Sequence, residues 1–222
     1  MARLARTVVP GVPHHVTQRG NGRQQTFFTL GDYAAYRDLL AAHCAANGVT
    51  VWSWVLMPNH VHLILVPEQA DGLRAALAKV HRAYAGRIHL REQRSGHFWQ
   101  GRFAAVAMDE AHTLAALRYG ALNPVRARLV ARAQDWRWSS VHALLDPVRG
   151  DGITATAPVL ELVPDFAGLL STDGDEALAT ALRRAESVGR PVGSGAFLER
   201  AEAVLGRSTV AGKRGPRGKE FR

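Results

Sequence analysis

The sequence predicts an α+β fold, and three observations carry that reading. Two apolar runs rich in β-branched residues, 51–56 and 60–66, flank the turn dipeptide Pro58-Asn59, which reads as a strand pair joined by a tight turn. Stretches with apolar residues at helical spacing lie on either side of that pair. A further short strand-like run then borders each helix, at about 14–18 and at 103–108. The resulting order is strand, helix, strand, strand, helix, strand. That is the split βαβ or ferredoxin-like arrangement, an antiparallel sheet with both helices on one face.

Each element has its local reason. After the first strand comes a polar glycine loop, Arg19-Gly20-Asn21-Gly22-Arg23, whose arginines are placed to touch phosphates. Asp32 offers an N-cap to the first helix, in which Tyr36, Leu39, Leu40, His43 and Cys44 recur at helical spacing until Asn47-Gly48. The second helix runs over about 71–90, with Leu73, Leu77, Val80 and Tyr84 as its apolar stripe and basic residues around it. A third helix begins at Asp109 or Glu110 and ends at Asn123-Pro124, because the residue before proline is pushed out of the α region. Residues 146–152 read as a linker. Helices are expected over about 175–188 and 194–205, with Gly206 ending the second. The division is therefore 1–146, a helical C-terminal extension over 147–206, and a basic tail over 207–222, too polar to bury a core.

Composition narrows the function. A hydrophobic fraction of 47% is globular, and Lys plus Arg exceed Asp plus Glu to give a net charge of +9. Such a balance suits a polyanionic partner, nucleic acid first and a membrane surface second. No run is long enough to cross a bilayer, and residues 1–10 lack a signal-peptide core, so a cytoplasmic location is expected. The single Cys44 excludes an internal disulfide and fits as a core residue.

The chemistry centres on Met57-Pro58-Asn59-His60-Val61-His62. Side chains alternate along a strand, so His60 and His62 share a face and form half of a metal site. On the third helix, Leu114, Leu117, Ala121 and Leu122 make the apolar stripe. His112, Ala116, Tyr119 and Asn123 lie on a second face, where a tyrosine needed only for packing would not be placed. Two histidines on a strand, a tyrosine and an amide on a helix, and a basic chain suggest metal-assisted phosphoryl transfer with Tyr119 attacking. Asn123 either completes the coordination or holds Tyr119. The expected cofactor is a divalent ion, Mg²⁺ or Mn²⁺; imidazole ligands leave manganese or another transition ion as plausible as magnesium.

Four motifs in order, M-P-N-H-V-H-L-I-L, S-G-H-F-W-Q-G-R-F, R-Y-G-A-L-N-P-V-R-A-R-L-V and W-R-W-S-S, resemble the HUH-type single-tyrosine transposases, in the branch called REP-associated tyrosine transposases. The resemblance spans about residues 1–146. It implies a ferredoxin-like sheet with a trailing catalytic helix, and cleavage of single-stranded DNA beside imperfect hairpins, leaving a 5′-phosphotyrosine and a free 3′-hydroxyl. By resemblance His60 and His62 are the metal pair, Tyr119 the nucleophile and Asn123 the polar residue one turn later. Many relatives read G-R-Y where this chain has Gly101-Arg102-Phe103; Tyr119 is preferred because it shares a helix with Asn123. Tyr33, Tyr36 and Tyr84 lie on the earlier helices. DNA contacts are expected from Arg19, Arg23, Arg102, Arg118 and Arg126, and from Lys213, Arg214 and Arg217 in the tail. Trp99 is either core or a base-stacking platform. The expected partner is single-stranded or hairpin DNA, with the protein a monomer or homodimer. Two alternatives stay open: a DNA- or REP-hairpin-binding protein that has lost cleavage, and a metallohydrolase.

Overall fold

The computed structural model describes residues 7–172 and 176–209. Four strands, β1 (His14–Arg19), β2 (Val49–Met57), β3 (His60–Pro67) and β4 (Ala104–Ala107), form one sheet in the order β2-β3-β1-β4. Every pairing is antiparallel. The helices α1 (Leu30–Ala45) and α2 (Gly72–Glu92) sit between them in the chain, which completes the βαββαβ order expected from the sequence. Both pack on one face, where Val16, Leu56, Leu63 and Leu65 meet Tyr36, Leu40, Leu77 and Tyr84 in a single core. The two buried tyrosines have structural partners: the Tyr36 hydroxyl lies 3.0 Å from His81 Nε2 and that of Tyr84 donates to the Thr26 carbonyl at 2.7 Å.

Two helix boundaries differ from expectation. Thr29, not Asp32, is the N-cap of α1. Asp32 is the third helical residue, whose carboxylate reaches back to accept from the Phe28 and Thr29 amides, each at 2.9 Å. It thereby satisfies donors that have no partner inside the helix. The third helix, α3 (Glu110–Ala121), stops before Asn123. Asn123 begins a further helical turn, α4 (Asn123–Arg126). Pro124 fits there because the first turn of a helix leaves its N–H unused.

The opposite face of the sheet is covered by α3 and by the C-terminal extension beyond α5 (Val141–Leu145). Short helices α6 (Thr156–Leu162) and α7 (Phe166–Ser171) precede α8 (Glu176–Val188) and α9 (Gly195–Leu205). Ile64, Val106 and Met108 of the sheet face, Leu117 and Ala121 of α3, and Val159, Phe166 and Leu182 of the extension make one buried cluster. Packing therefore crosses the composition boundary at residue 146. The connecting segment is tied down too, since Asp151 accepts from the indole of buried Trp54 at 2.9 Å. Ser194 caps α9 by accepting from the Phe197 amide, and Gly206 takes the left-handed conformation (φ +61°) that ends it. The basic tail with Lys213, Arg214 and Arg217 lies outside the described residues.

Candidate metal centre and nucleophile

Strand register sets the site. On β3, His60 and His62 alternate with the buried Val61 and Leu63, so both imidazoles point away from the α1/α2 core. On β1, Arg19 pairs with His60 and Thr17 with His62, which puts His15, Thr17 and Arg19 on the same face. The glycine loop after β1 is anchored to the histidine turn: the Gly20 amide donates to the Asn59 carbonyl at 2.9 Å. A side chain at Gly20 would lie only 2.3 Å from the Gln24 carbonyl, so the loop needs a glycine there.

The helix α3 brings Tyr119 to this face. Its ring stands edge-on to His62, with centroids 5.4 Å apart and planes at 82°, and 6.3 Å from His15. The Arg126 guanidinium lies over the Tyr119 ring at 5.0 Å, and that of Arg183 from α8 lies 6.0 Å away. Asn123 places its amide nitrogen 2.8 Å from His62 Nε2. His60, His62, Tyr119 and Asn123, the four residues singled out in the sequence, thus share one neighbourhood. Gly120 passes over the sheet at ordinary contact distance, since a Cβ there would meet Val55 and His62 at 3.9 and 4.0 Å.

The tautomers are set by the partners. The Asn59 amide donates to the Arg23 carbonyl at 3.1 Å, which turns its oxygen to His60 Nδ1 at 2.6 Å. An amide oxygen only accepts, so His60 carries its proton on Nδ1 and keeps Nε2 as a lone pair. His62 has the same polarity: Nδ1 faces His15 Nε2 at 3.1 Å, and Nε2 accepts from Asn123. Burial first, and then Arg19, lowers the pKa of His60 to about 4. Burial, then His15, His60 and Arg19, holds His62 well below the usual imidazole range. Neutral imidazoles protonated on Nδ1 are the form that binds a metal through Nε2; at His62 that lone pair accepts from Asn123, whose amide must turn for an ion to enter. With the Asn123 amide beside them, these residues fit a divalent cation.

Two openings flank the site. A polar cleft of about 380 Å³ is lined by Arg19, His60, His62, Gln100, Arg102 and Arg183. A more apolar cavity of about 220 Å³ between α3, α7 and α8 is lined by Leu114, Arg118, Tyr119, Arg126 and Leu169. Arg19 and Arg102 are therefore beside the histidines and Arg126 beside the tyrosine. Arg23 is exposed in the glycine loop. Arg118 turns away from the histidines and donates to the Leu169 and Thr172 carbonyls, tying α3 to the end of α7. Trp99 is half-buried against the α1/α2 core and donates its indole N–H to the His81 carbonyl at 3.0 Å. Asp109 caps α3 by accepting from the His112 amide at 3.0 Å, and the His112 ring Nδ1 lies 2.7 Å from the same oxygen. In the W-R-W-S-S motif, Trp138 stacks on Tyr33 and Ser140 bonds Ser53 and the Trp54 amide, a packing role.

Three neighbours of the site were not singled out in the sequence. His15 was legible in principle, because β1 alternates and His15 shares a face with Thr17 and Arg19. Its neighbour His14 points to the other side, buried and bonded to the Val12 carbonyl at 2.7 Å. Arg183 and Glu186 come from α8, an extension helix whose docking no local pattern announces.

Residues 9–119 match the family described as "Transposase IS200 like", a stretch that ends on Tyr119. Among solved structures, the chain is similar to a REP-associated tyrosine transposase bound to a REP hairpin. That match has TM-score 0.58 and 20% identity, and covers 70% of this chain and 92% of that one. It is also similar to a transposase from Deinococcus radiodurans, with TM-score 0.39 and 22% identity over 50% of this chain and 89% of that one. No curated protein sequence matches. Among the described residues, no helix is long and apolar enough to cross a membrane. With half of its length matched to the family and the sheet and third helix arranged as above, this chain belongs to the IS200-like transposases.

Proposed function

We propose that the protein cleaves and rejoins single-stranded DNA at hairpin repeats through a covalent tyrosine intermediate. The observation that carries this reading is the placement of Tyr119 edge-on to His62, 5.4 Å between rings, with the Asn123 amide on His62 Nε2. The Tyr119 oxygen attacks a backbone phosphorus; the new O–P bond forms as the bond to the 3′ oxygen breaks. The phenol loses its proton and the leaving oxygen gains one, giving a 5′-phosphotyrosine and a 3′-hydroxyl. The phosphodiester energy is retained in the tyrosyl ester, so the reverse attack by a 3′-hydroxyl rejoins strands.

His60, His62 and Asn123 would hold the divalent ion. Such an ion, Mg²⁺ or Mn²⁺, supplies charge to polarise the scissile phosphate. Arg126 and Arg183 lie over the Tyr119 ring and bring positive charge beside the point where the phosphate is attacked. Arg19 and Arg102 line the polar cleft, where they bind and orient the phosphodiester backbone. Tyr119 stands beside His62 and His15 of its own chain. The hairpin as substrate rests on the motif resemblance and on the similar transposase bound to a REP hairpin.

The test is incubation of labelled single-stranded hairpin DNA from the gene's own flanks with Mn²⁺, read on denaturing gels for wild type, Tyr119→Phe and His62→Ala. A covalent protein–DNA adduct that vanishes in both variants is expected. Cleavage that persists in Tyr119→Phe refutes the tyrosine mechanism. Binding without cleavage in wild type assigns the chain to hairpin binding alone.

A further inference from the structure

Beneath His62 lies a second buried histidine and, behind it, a carboxylate from the C-terminal extension. His15 Nε2 is 3.1 Å from His62 Nδ1, and His15 Nδ1 is 3.5 Å from Glu186 Oε1 on α8. His15 Nδ1 and Glu186 Oε1 are both buried, and neither makes a hydrogen bond. Two orphaned polar atoms facing each other in a buried place cost stability unless they serve one another or a ligand. Their three side chains also form a group with potential ligand atoms within 4.8 Å of one another, so direct metal binding by all three is the first idea to weigh.

Ring geometry decides against it. The imidazoles of His15 and His62 are nearly parallel, at 6°, with centroids 5.3 Å apart. Their nitrogens are closer than the centroids by about the width of a ring, so the rings meet edge to edge in one plane. The two nitrogen lone-pair directions then point at each other, not at a shared third point. That is the geometry of an N–H···N hydrogen bond and leaves no position for an ion between them.

The polarity of the chain of contacts is fixed from the Asn123 end. The Asn123 amide donates to His62 Nε2, so His62 carries its proton on Nδ1 and donates it to His15 Nε2, which leaves His15 Nδ1–H facing Glu186 Oε1. We propose that Glu186 and His15 are positioning residues, a relay in which the extension's carboxylate fixes the tautomer and ring plane of His62 and so presents Nε2 to the divalent ion. This rests on the metal-dependent reading above. It gives the C-terminal extension a part in the site: α8 packs on α3 and β4, and its docking delivers Glu186.

Two measurements on the full chain test the relay. Long-range ¹⁵N–¹H spectra of the metal-free protein read the tautomers of His15 and His62. Mn²⁺ titration followed by EPR reads affinity. Wild type is expected to show Nδ1–H on both rings. Glu186→Ala should lose the single tautomer at His62 and weaken Mn²⁺ binding by about 10–100-fold, as loss of outer-sphere partners of metal ligands does. Glu186→Gln, which keeps an acceptor oxygen and nearly the same shape, should recover most of that loss and report against mere misfolding. An unchanged His62 tautomer and unchanged Mn²⁺ affinity in Glu186→Ala overturn the proposal. So does Mn²⁺ affinity lost as fully in Glu186→Gln as in Glu186→Ala, which marks direct ligation by the carboxylate. A wild-type chain that binds no Mn²⁺ sinks the proposed function instead, while the metal-free tautomers still judge the relay separately.

Discussion

The sheet's second face and the extension share one core, so truncating an extension residue should destabilise the whole protein in a single transition. Leu182 on α8 is 1% exposed and sits with Ile64, Val106 and Leu117. Leu182→Ala removes three carbons at ~0.8 kcal/mol per buried methylene. Adding the unfilled cavity brings the cost to about 2–5 kcal/mol. For a chain of this size each kcal/mol moves the melting temperature by roughly 2–4 °C, so a fall on the order of 5–15 °C is expected. The assay is thermal and urea unfolding followed by near- and far-ultraviolet circular dichroism, with Leu77→Ala in the α1/α2 core as the comparison, since Leu77 is fully buried on the opposite face. Both variants should lower one common transition by similar amounts. Two separated transitions, with Leu182→Ala moving only one, would refute the reasoning and make 147–206 an independent unit.

The remaining predictions concern single residues. Asp32→Asn should cost about 1–3 kcal/mol, because a buried acceptor of two amides is altered and Arg91 loses one of its two carboxylate partners. Burial raises the Asp32 pKa, but Arg91 and the two amides outweigh it and the net shift is downward. Its stabilisation is therefore complete above the unfolded carboxyl value near ~3.9 and vanishes as pH falls through the lower folded value; a wild-type-minus-variant difference that grows on acidification contradicts this. Gly120→Ala should stabilise by up to ~1 kcal/mol in urea unfolding, since the helix gains a better former and the methyl has room against Val55 and His62. Arg102→Ala, in the polar cleft, should lessen the slope of log affinity against log salt by about 0.7 for single-stranded DNA. Arg118→Ala, whose guanidinium is spent on the Leu169 and Thr172 carbonyls, should leave that slope where it was.

Legibility in the chain tracks the range of the physics involved. Strand alternation is local, so His60 and His62 were placed on one face without knowing the fold. The helical spacing of Tyr119 and Asn123 needed only the α repeat. Bringing the two pairs together required one further inference, that a sheet with both helices on one face must be covered on the other, and α3 does cover it. The site's support depends on longer reach. His15 needs the β1–β3 register, in which Thr17 faces His62, and no residue within β1 states that register. Glu186 needs more: α8 is an amphipathic helix 124 positions along from His62, and its apolar face would suit any apolar surface of the right width. Its docking on α3 and β4 is decided by the complementarity of side chains from several elements. Asp32 shows the same limit at short range, because cap and third position lie about one turn apart and either can satisfy free amides at the start of the helix. The residues that do the proposed chemistry were thus legible, while those that orient them were not. An orienting residue is defined by the partner it touches, and contact between distant segments exists only once the chain has folded.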